Sequence, residues 1–257
     1  MNTPTKHYYF VTLSYNGSAY LGWQIQNEGR TVQGTINKVL KEISKSEDVR
    51  TIGGGRTDTG VHALNQTCKI AMYLEIKPEK LILAMNSLLP PDIRILTAKK
   101  STEEFMPTSD AKSKEYGYFF TNQEQPTPFQ NTLMSNYTYK LDFKAIEKAC
   151  KLLEGEHDFV NFFTKGTEVK TTVRTIFSCQ LKKHEGHHLF IPAYYELNIV
   201  GSGFLKQMVR LIVGALWELG RGKITLDDFK EALEGRKLRK IGPTAPSDGL
   251  YLKHITY

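Results

Sequence analysis

Residues 53–66 read GGGRTDTGVHALNQ, and they restrict the fold more than any other part of the chain. Three adjacent glycines are entropically costly to order, so their presence implies that something approaches this backbone closely. Apolar, strand-like residues lie on both sides, Val49 to Ile52 before the turn and Cys68 to Leu74 after it. The turn therefore joins two strands and displays Arg56 and Asp58 at a fixed point. Two accounts of Asp58 stand on the residues alone. With Thr57 and Thr59 it supplies local turn hydrogen bonds, or it is a carboxylate held out for chemistry. The turn is not a nucleotide loop, because it lacks the Lys-Ser/Thr ending of a P-loop and does not satisfy G-x-G-x-x-G.

The periodicity around this turn mixes short strands with amphipathic helices. His7 to Tyr15 reads as a strand ending at Asn16-Gly17; Val32, Ile36, Val39, Leu40 and Ile43 mark a helix; Leu81 to Leu89 marks another, closed by Pro90-Pro91; and Ile93 to Thr97 is a strand. A similar order recurs after residue 115: a strand from Tyr116, a helix with Asp142 as N-cap and Gly155 as its stop, and two long strands over Thr172–Lys182 and Leu189–Asn198. An apolar helix from Phe204 to Leu219, a last helix opened by a Thr225–Asp228 capping box, and a strand from Leu250 complete the chain. The expected fold class is α+β, with two similar halves, 1–105 and 106–257, whose antiparallel sheets join, helices packed on one side, and a cleft between the halves.

The apolar helix carries a narrow polar stripe of Gln207, Arg210 and Gly214. A guanidinium there either reaches solvent or phosphate, or takes a carboxylate partner, for which Asp58 is the candidate. Aromatic residues crowd the start (Tyr8, Tyr9, Tyr15, Tyr20, Trp23) and the middle (Tyr116, Tyr118, Phe119, Phe120); most are core, and one or two can stack on bases. The formal charge of +7 suits a polyanion such as nucleic acid. Three separated cysteines, Cys68, Cys150 and Cys179, give neither a disulfide framework nor a zinc site, and read as buried thiols of a cytoplasmic protein. His184, His187 and His188 read as a polar hairpin tip rather than a metal site. No apolar stretch has the length and composition of a signal peptide or membrane span.

Together these residues resemble the TruA family of tRNA pseudouridine synthases. The resemblance runs almost end to end: Gly22-Trp23-Gln24, Thr31-Val32-Gln33, the block Gly55 to Ala63, Lys114 to Tyr118, Phe204-Leu205 with Met208-Val209-Arg210, Val213-Gly214, and Thr244-Ala245-Pro246 through Leu252. It implies that Asp58 is the catalytic aspartate, that Tyr116 packs on the target uracil, and that Arg210 pairs with Asp58. It further implies that Arg56 holds the flipped nucleotide or fills its space, and that Leu250 packs against the base. Neither cofactor nor metal is implied. The partner implied by the resemblance is tRNA, bound across a homodimer, and the family's usual targets are uridines 38 to 40 of the anticodon arm. An extruded base explains the need for a deep pocket with a charged rim.

Two departures stand out. Where the family has Phe-His/Asn-Ala-Arg followed by an aromatic, Ser and Ala, this chain has Phe105-Met106-Pro107-Thr108-Ser109-Asp110-Ala111; and after Asp158-Phe159 an aromatic pair, Phe162-Phe163, replaces the usual Phe-Arg or Phe-Cys. Both bear on how RNA is gripped rather than on the reaction. The alternatives are a paralogue acting on another tRNA or ribosomal uridine, and a catalytically silent RNA-binding protein.

Overall fold

The computed structural model describes residues 5–124, 127–164, 166, 169–186, 193–235 and 240–257. His187, His188, Lys165, Arg236, Lys237 and Arg239, and the expected strand residues 189–192, lie outside them. The chain divides into two compact units, Met1–Lys112 with Leu252–Tyr257, and Ser113–Tyr251.

The first unit holds β1 (His7–Tyr15), α1 (Val32–Ser44), β2 (Arg50–Gly53), β3 (His62–Met72), α2 (Pro78–Leu88) and β4 (Ile93–Ser101). The antiparallel partners of β1 are β3, with His7 opposite Met72, and β4, with Tyr15 opposite Ile93. Alternation along β1 sends Tyr9, Val11, Leu13 and Tyr15 into the core. Val32, Ile36, Val39 and Leu40 of α1 and Leu81 and Met85 of α2 are the matching apolar stripes. The other face of β1 and β3 carries Lys69, a buried ammonium that donates to the carbonyls of Glu103 and Phe105, the latter at 2.8 Å. The Phe105 ring packs edge-on against Phe10 and Tyr257. Residues 103–110 are thereby strapped to the unit, and Asp110 closes a loop by accepting from the Met106 amide at 2.9 Å.

The second unit holds β5 (Ser113–Thr121), β6 (Ser135–Asn136), α3 (Phe143–Leu153), β7 (Gly155–Asp158), β8 (Val173–His184), β9 (Tyr194–Gly201), α4 (Met208–Gly220) and α5 (Leu226–Leu233). Its strands run in the order β5-β9-β8-β7, and the two-residue β6 pairs in parallel with the end of β5, Phe120 opposite Ser135. The final strand, β10 (Leu250–Thr256), has Leu250 and Tyr251 in the second unit and lies beside β3 in the first from Leu252 onward. Tyr118, Phe120 and Trp217 are buried together, the two rings lying 5.6 and 5.5 Å from the indole.

The sequence reading needs three corrections here. The apolar helix begins at Met208, not Phe204: Gln207 takes a left-handed conformation at φ 59°, and no side chain caps it. Leu205 is buried, so its apolar character reflects packing of a loop rather than another helical turn. Gly214 is not part of a polar stripe. A Cβ there would meet the Pro243 carbonyl oxygen at 1.7 Å, so glycine is needed for close passage of the 242–245 backbone. The strand after the glycine turn starts at His62, six residues earlier than Cys68, and β6 and β7 are additional strands too short to show a period.

Candidate active site

Asp58 lies in the connection between β2 and β3, which pair with Gly53 opposite Cys68. None of the three glycines before it has a positive φ; at Gly53 and Gly54 their role is space. A Cβ on Gly53 would strike the Trp23 indole at 2.4 Å, and one on Gly54 would strike Thr67 Oγ1 at 2.1 Å and the Tyr257 hydroxyl at 2.5 Å. Gly55 is held by Gln66, whose Oε1 accepts from the Gly55 amide at 3.2 Å and whose Nε2 donates to the Gly55 carbonyl at 2.7 Å. What approaches this backbone is the protein's own interior.

The main chain at Asp58 is gripped from a second side by residues 17–23. The Thr57 carbonyl accepts from the Trp23 amide at 3.0 Å, and the Gly60 amide donates to the Tyr20 carbonyl at 3.2 Å. Gly22, at φ 94°, lies so near that a Cβ would meet the Thr57 carbonyl oxygen at 2.5 Å and the Asp58 carbonyl carbon at 3.1 Å. A tight turn follows, with the Val61 amide donating to the Asp58 carbonyl at 3.1 Å. Thr57 is buried, and its hydroxyl is 2.8 Å from that of Tyr15. Burial pushes the Tyr15 phenol up to about 12, which keeps it a neutral partner. Asp58 supplies a turn hydrogen bond through its main-chain carbonyl, on a braced loop in which Asp58 is half-buried and Arg56 exposed.

Tyr116, Arg210 and Leu250 stand in the second unit. One segment, residues 242–250, links their surroundings. Its Pro243 backbone rests on Gly214 of α4. The Ala245 amide donates to the Arg210 carbonyl at 3.1 Å, and Arg210 Nε donates back to the Ala245 carbonyl at 2.7 Å. The Pro246 carbonyl accepts from the Tyr118 hydroxyl at 2.9 Å, and the Gly249 carbonyl accepts from the Phe119 amide at 2.7 Å. Leu250, buried, donates its amide to the Ser247 carbonyl at 2.9 Å as β10 begins. Nε, the inner nitrogen of Arg210, is thus used to orient its half-buried side chain from the backbone. Tyr116 is buried, its ring edge-on to Phe204 at 5.1 Å.

Burial on β5 lowers the Lys114 ammonium from its ordinary value and raises the Tyr118 phenol. His184 bonds Glu196 at 2.9 Å and stacks on Tyr194 at 4.7 Å. Among the described residues no three His, Cys, Asp or Glu side chains are grouped to hold a metal ion. Nor is any helix among them long and apolar enough to cross a membrane. Tyr15 and Tyr20 stand in the sequence among the aromatics that could stack on bases, and Gln66 ends the glycine stretch, but the clamp role of the three has no sequence signal.

A profile of the family described as tRNA pseudouridine synthase matches residues 12–106 and 149–257. The tRNA pseudouridine synthase A 2 of Desulfotalea psychrophila is 40% identical over 263 aligned residues, covering 97% of this chain and 98% of that protein. The tRNA pseudouridine synthase A of Geobacillus sp. (strain WCH70) is 37% identical, with 96% of each chain covered. The enzyme of the same name from Lacticaseibacillus casei is 38% identical over 97% of this chain and 99% of its own. A match of this extent, taking in both the Asp58 turn and the Arg210 helix, means that the chain belongs to the tRNA pseudouridine synthase family.

Proposed function

We propose that this protein isomerises uridine to pseudouridine in tRNA, at positions 38 to 40 of the anticodon arm, with Asp58 as the catalytic group. The observation that carries the reading is the braced turn itself. Within a chain of this family, the main chain from Thr57 to Gly60 is gripped from two sides, and Asp58 on it is half-buried. Preorganisation of that kind is what a reacting carboxylate requires.

The isomerisation breaks the bond from N1 of the base to C1′ of the ribose and forms one from C5 to C1′. The C5 proton is lost and N1 gains one, so atoms balance and no external oxidant or reductant enters. An ionised Asp58 serves by attacking C6 or C1′, or by stabilising charge and moving the proton at the sugar. Tyr116 and Leu250 pack on the base, Arg56 holds the flipped nucleotide or its space, and Arg210 pairs with Asp58 to keep it charged. The same reading joins the sheets of the two halves around a cleft and makes the enzyme a cytoplasmic homodimer.

Pseudouridine mapping at single-nucleotide resolution, on total RNA treated with wild type and with Asp58→Asn, tests this. Asp58-dependent signal at positions 38 to 40 is expected. Asp58-dependent signal elsewhere reassigns the target, and RNA binding without any modification by wild type replaces the enzyme with a binding protein.

A further inference from the structure

Outside the turn, a polar cluster ties three distant parts of the first unit together. The Tyr20 hydroxyl donates to Asp92 Oδ1 at 2.6 Å. Arg30 grips the same carboxylate with both terminal nitrogens, at 2.8 and 3.1 Å, and lies over the Tyr20 ring at 4.2 Å. Asp92 also accepts the Asn16 amide on its carbonyl at 2.9 Å. The loop is closed at its neck by the Leu21 amide, which donates to the Arg30 carbonyl at 2.8 Å. Asp92 therefore fixes both the entry and the exit of residues 16–30.

That loop is the outer jaw of the grip on Asp58. The Gly60 amide hangs on the Tyr20 carbonyl, the Thr57 carbonyl on the Trp23 amide, and Gly22 lies against Asp58 itself. Tyr20 is buried, whereas the Asp92 and Arg30 side chains are 24% and 42% exposed. Screening limits what a partly exposed pair adds to stability, but a two-nitrogen fork is the geometry in which such a pair counts. Bidentate pairing fixes direction as well as distance.

We infer that Asp92, acting through Tyr20 and Arg30, is a positioning residue that sets where the Asp58 carboxylate stands. The inference rests on Asp58 being the catalytic group. Tyr20 is the arm: its hydroxyl is held by Asp92 and its carbonyl holds the residue two places beyond Asp58. Asp92 never meets the substrate. Its loss lets the 16–30 loop drift, and an ångström of drift at a reacting carboxylate is costly in rate.

The test is steady-state kinetics on an unmodified tRNA transcript, with tRNA affinity and thermal midpoint measured on the same samples. Tyr20→Phe and Asp92→Ala are expected to lower kcat by about ten- to a hundredfold, with tRNA Kd within about twofold of wild type. Asp92→Asn keeps an acceptor for the Tyr20 hydroxyl and is expected to recover part of the loss in kcat without a matching change in thermal midpoint, which a role in bulk stability alone would not predict. Wild-type kcat in folded Tyr20→Phe and Asp92→Ala overturns the inference, as does a loss confined to KM. Asp58→Asn run alongside separates the two readings. If it is dead while the Asp92 variants are normal, only the positioning role falls; if it is active, the assignment of Asp58 falls and takes the positioning role with it.

Discussion

Gly54 shows how a residue chosen for one apparent reason is required for another. Its lack of a side chain makes room for the Thr67 hydroxyl and the Tyr257 phenol, which bond each other at 2.5 Å. Gly54→Ala must push that pair or the β2–β3 connection aside, and overpacking of this kind costs about 2 kcal/mol. A lower denaturant midpoint with an unchanged slope is the expected result. Tyr15 gives a second test at the same scale. Its pKa is raised from the ordinary 10.0 to about 12 by burial. The folded state therefore favours the protonated phenol; this stability is fully present below the unfolded value near 10 and is lost as pH climbs through 12. Cys68, buried on β3 and raised to about 12, adds a loss of the same sign that begins near 9. Thermal midpoints measured across the alkaline range should fall from pH 9 upward, more steeply for wild type than for Tyr15→Phe. Asp58 stands out as a candidate in the sequence because an unusual run of residue types surrounds it. Its bracing does not: the hydrogen bonds from Tyr20 and Trp23 are made by main-chain atoms, which carry no signature in the side-chain sequence.

Among the elements, those with a chemical marker at their ends were readable from sequence and those without one were not. Asp142 accepts from the Ala145 amide at 3.1 Å to start α3, and Thr225 and Asp228 form a reciprocal box at the start of α5. Helix α4 has no such marker, so its apolar run was extended backward into the loop that Phe204 and Leu205 pack. Helix α1 ends on Lys45, exposed and left-handed at φ 52°. An L side chain is strained there and glycine is not, whereas glycine costs more to order from the unfolded chain. The balance favours Lys45→Gly by about 0.5 kcal/mol, read as a small rise in thermal midpoint with activity unchanged. Gly214→Ala acts in the opposite direction. A methyl group 1.7 Å from the Pro243 carbonyl oxygen forces α4 away from residues 242–250 and breaks the exchange between Arg210 and Ala245. Expected is a loss of about 3 kcal/mol together with most of the activity, measured by unfolding and turnover on the soluble fraction.

At the scale of the whole chain, composition gave one usable signal, and it concerns the partner more than the fold. Thirty-four Lys and Arg stand against 27 Asp and Glu, a surplus of 7 positive charges. Some basic residues are committed internally: Lys69 straps residues 103–105, and Arg30 is bound to Asp92. Others are paired at the surface, such as Lys41 with Glu47 and Lys100 with Glu75. The remaining surplus is what a tRNA backbone can use, by displacing counterions from its phosphates. If half of it meets phosphate, affinity should fall on the order of fiftyfold between roughly 50 and 200 mM salt. On the proposed reading, the chemical step on tRNA already bound releases no further counterions, so salt leaves it almost untouched. Binding and single-turnover rates measured across that salt series should therefore separate. A steep salt dependence in Kd with a flat single-turnover rate is the expected pattern. If instead Kd is flat, tRNA is gripped by shape and stacking, and the basic surplus has no part in holding it.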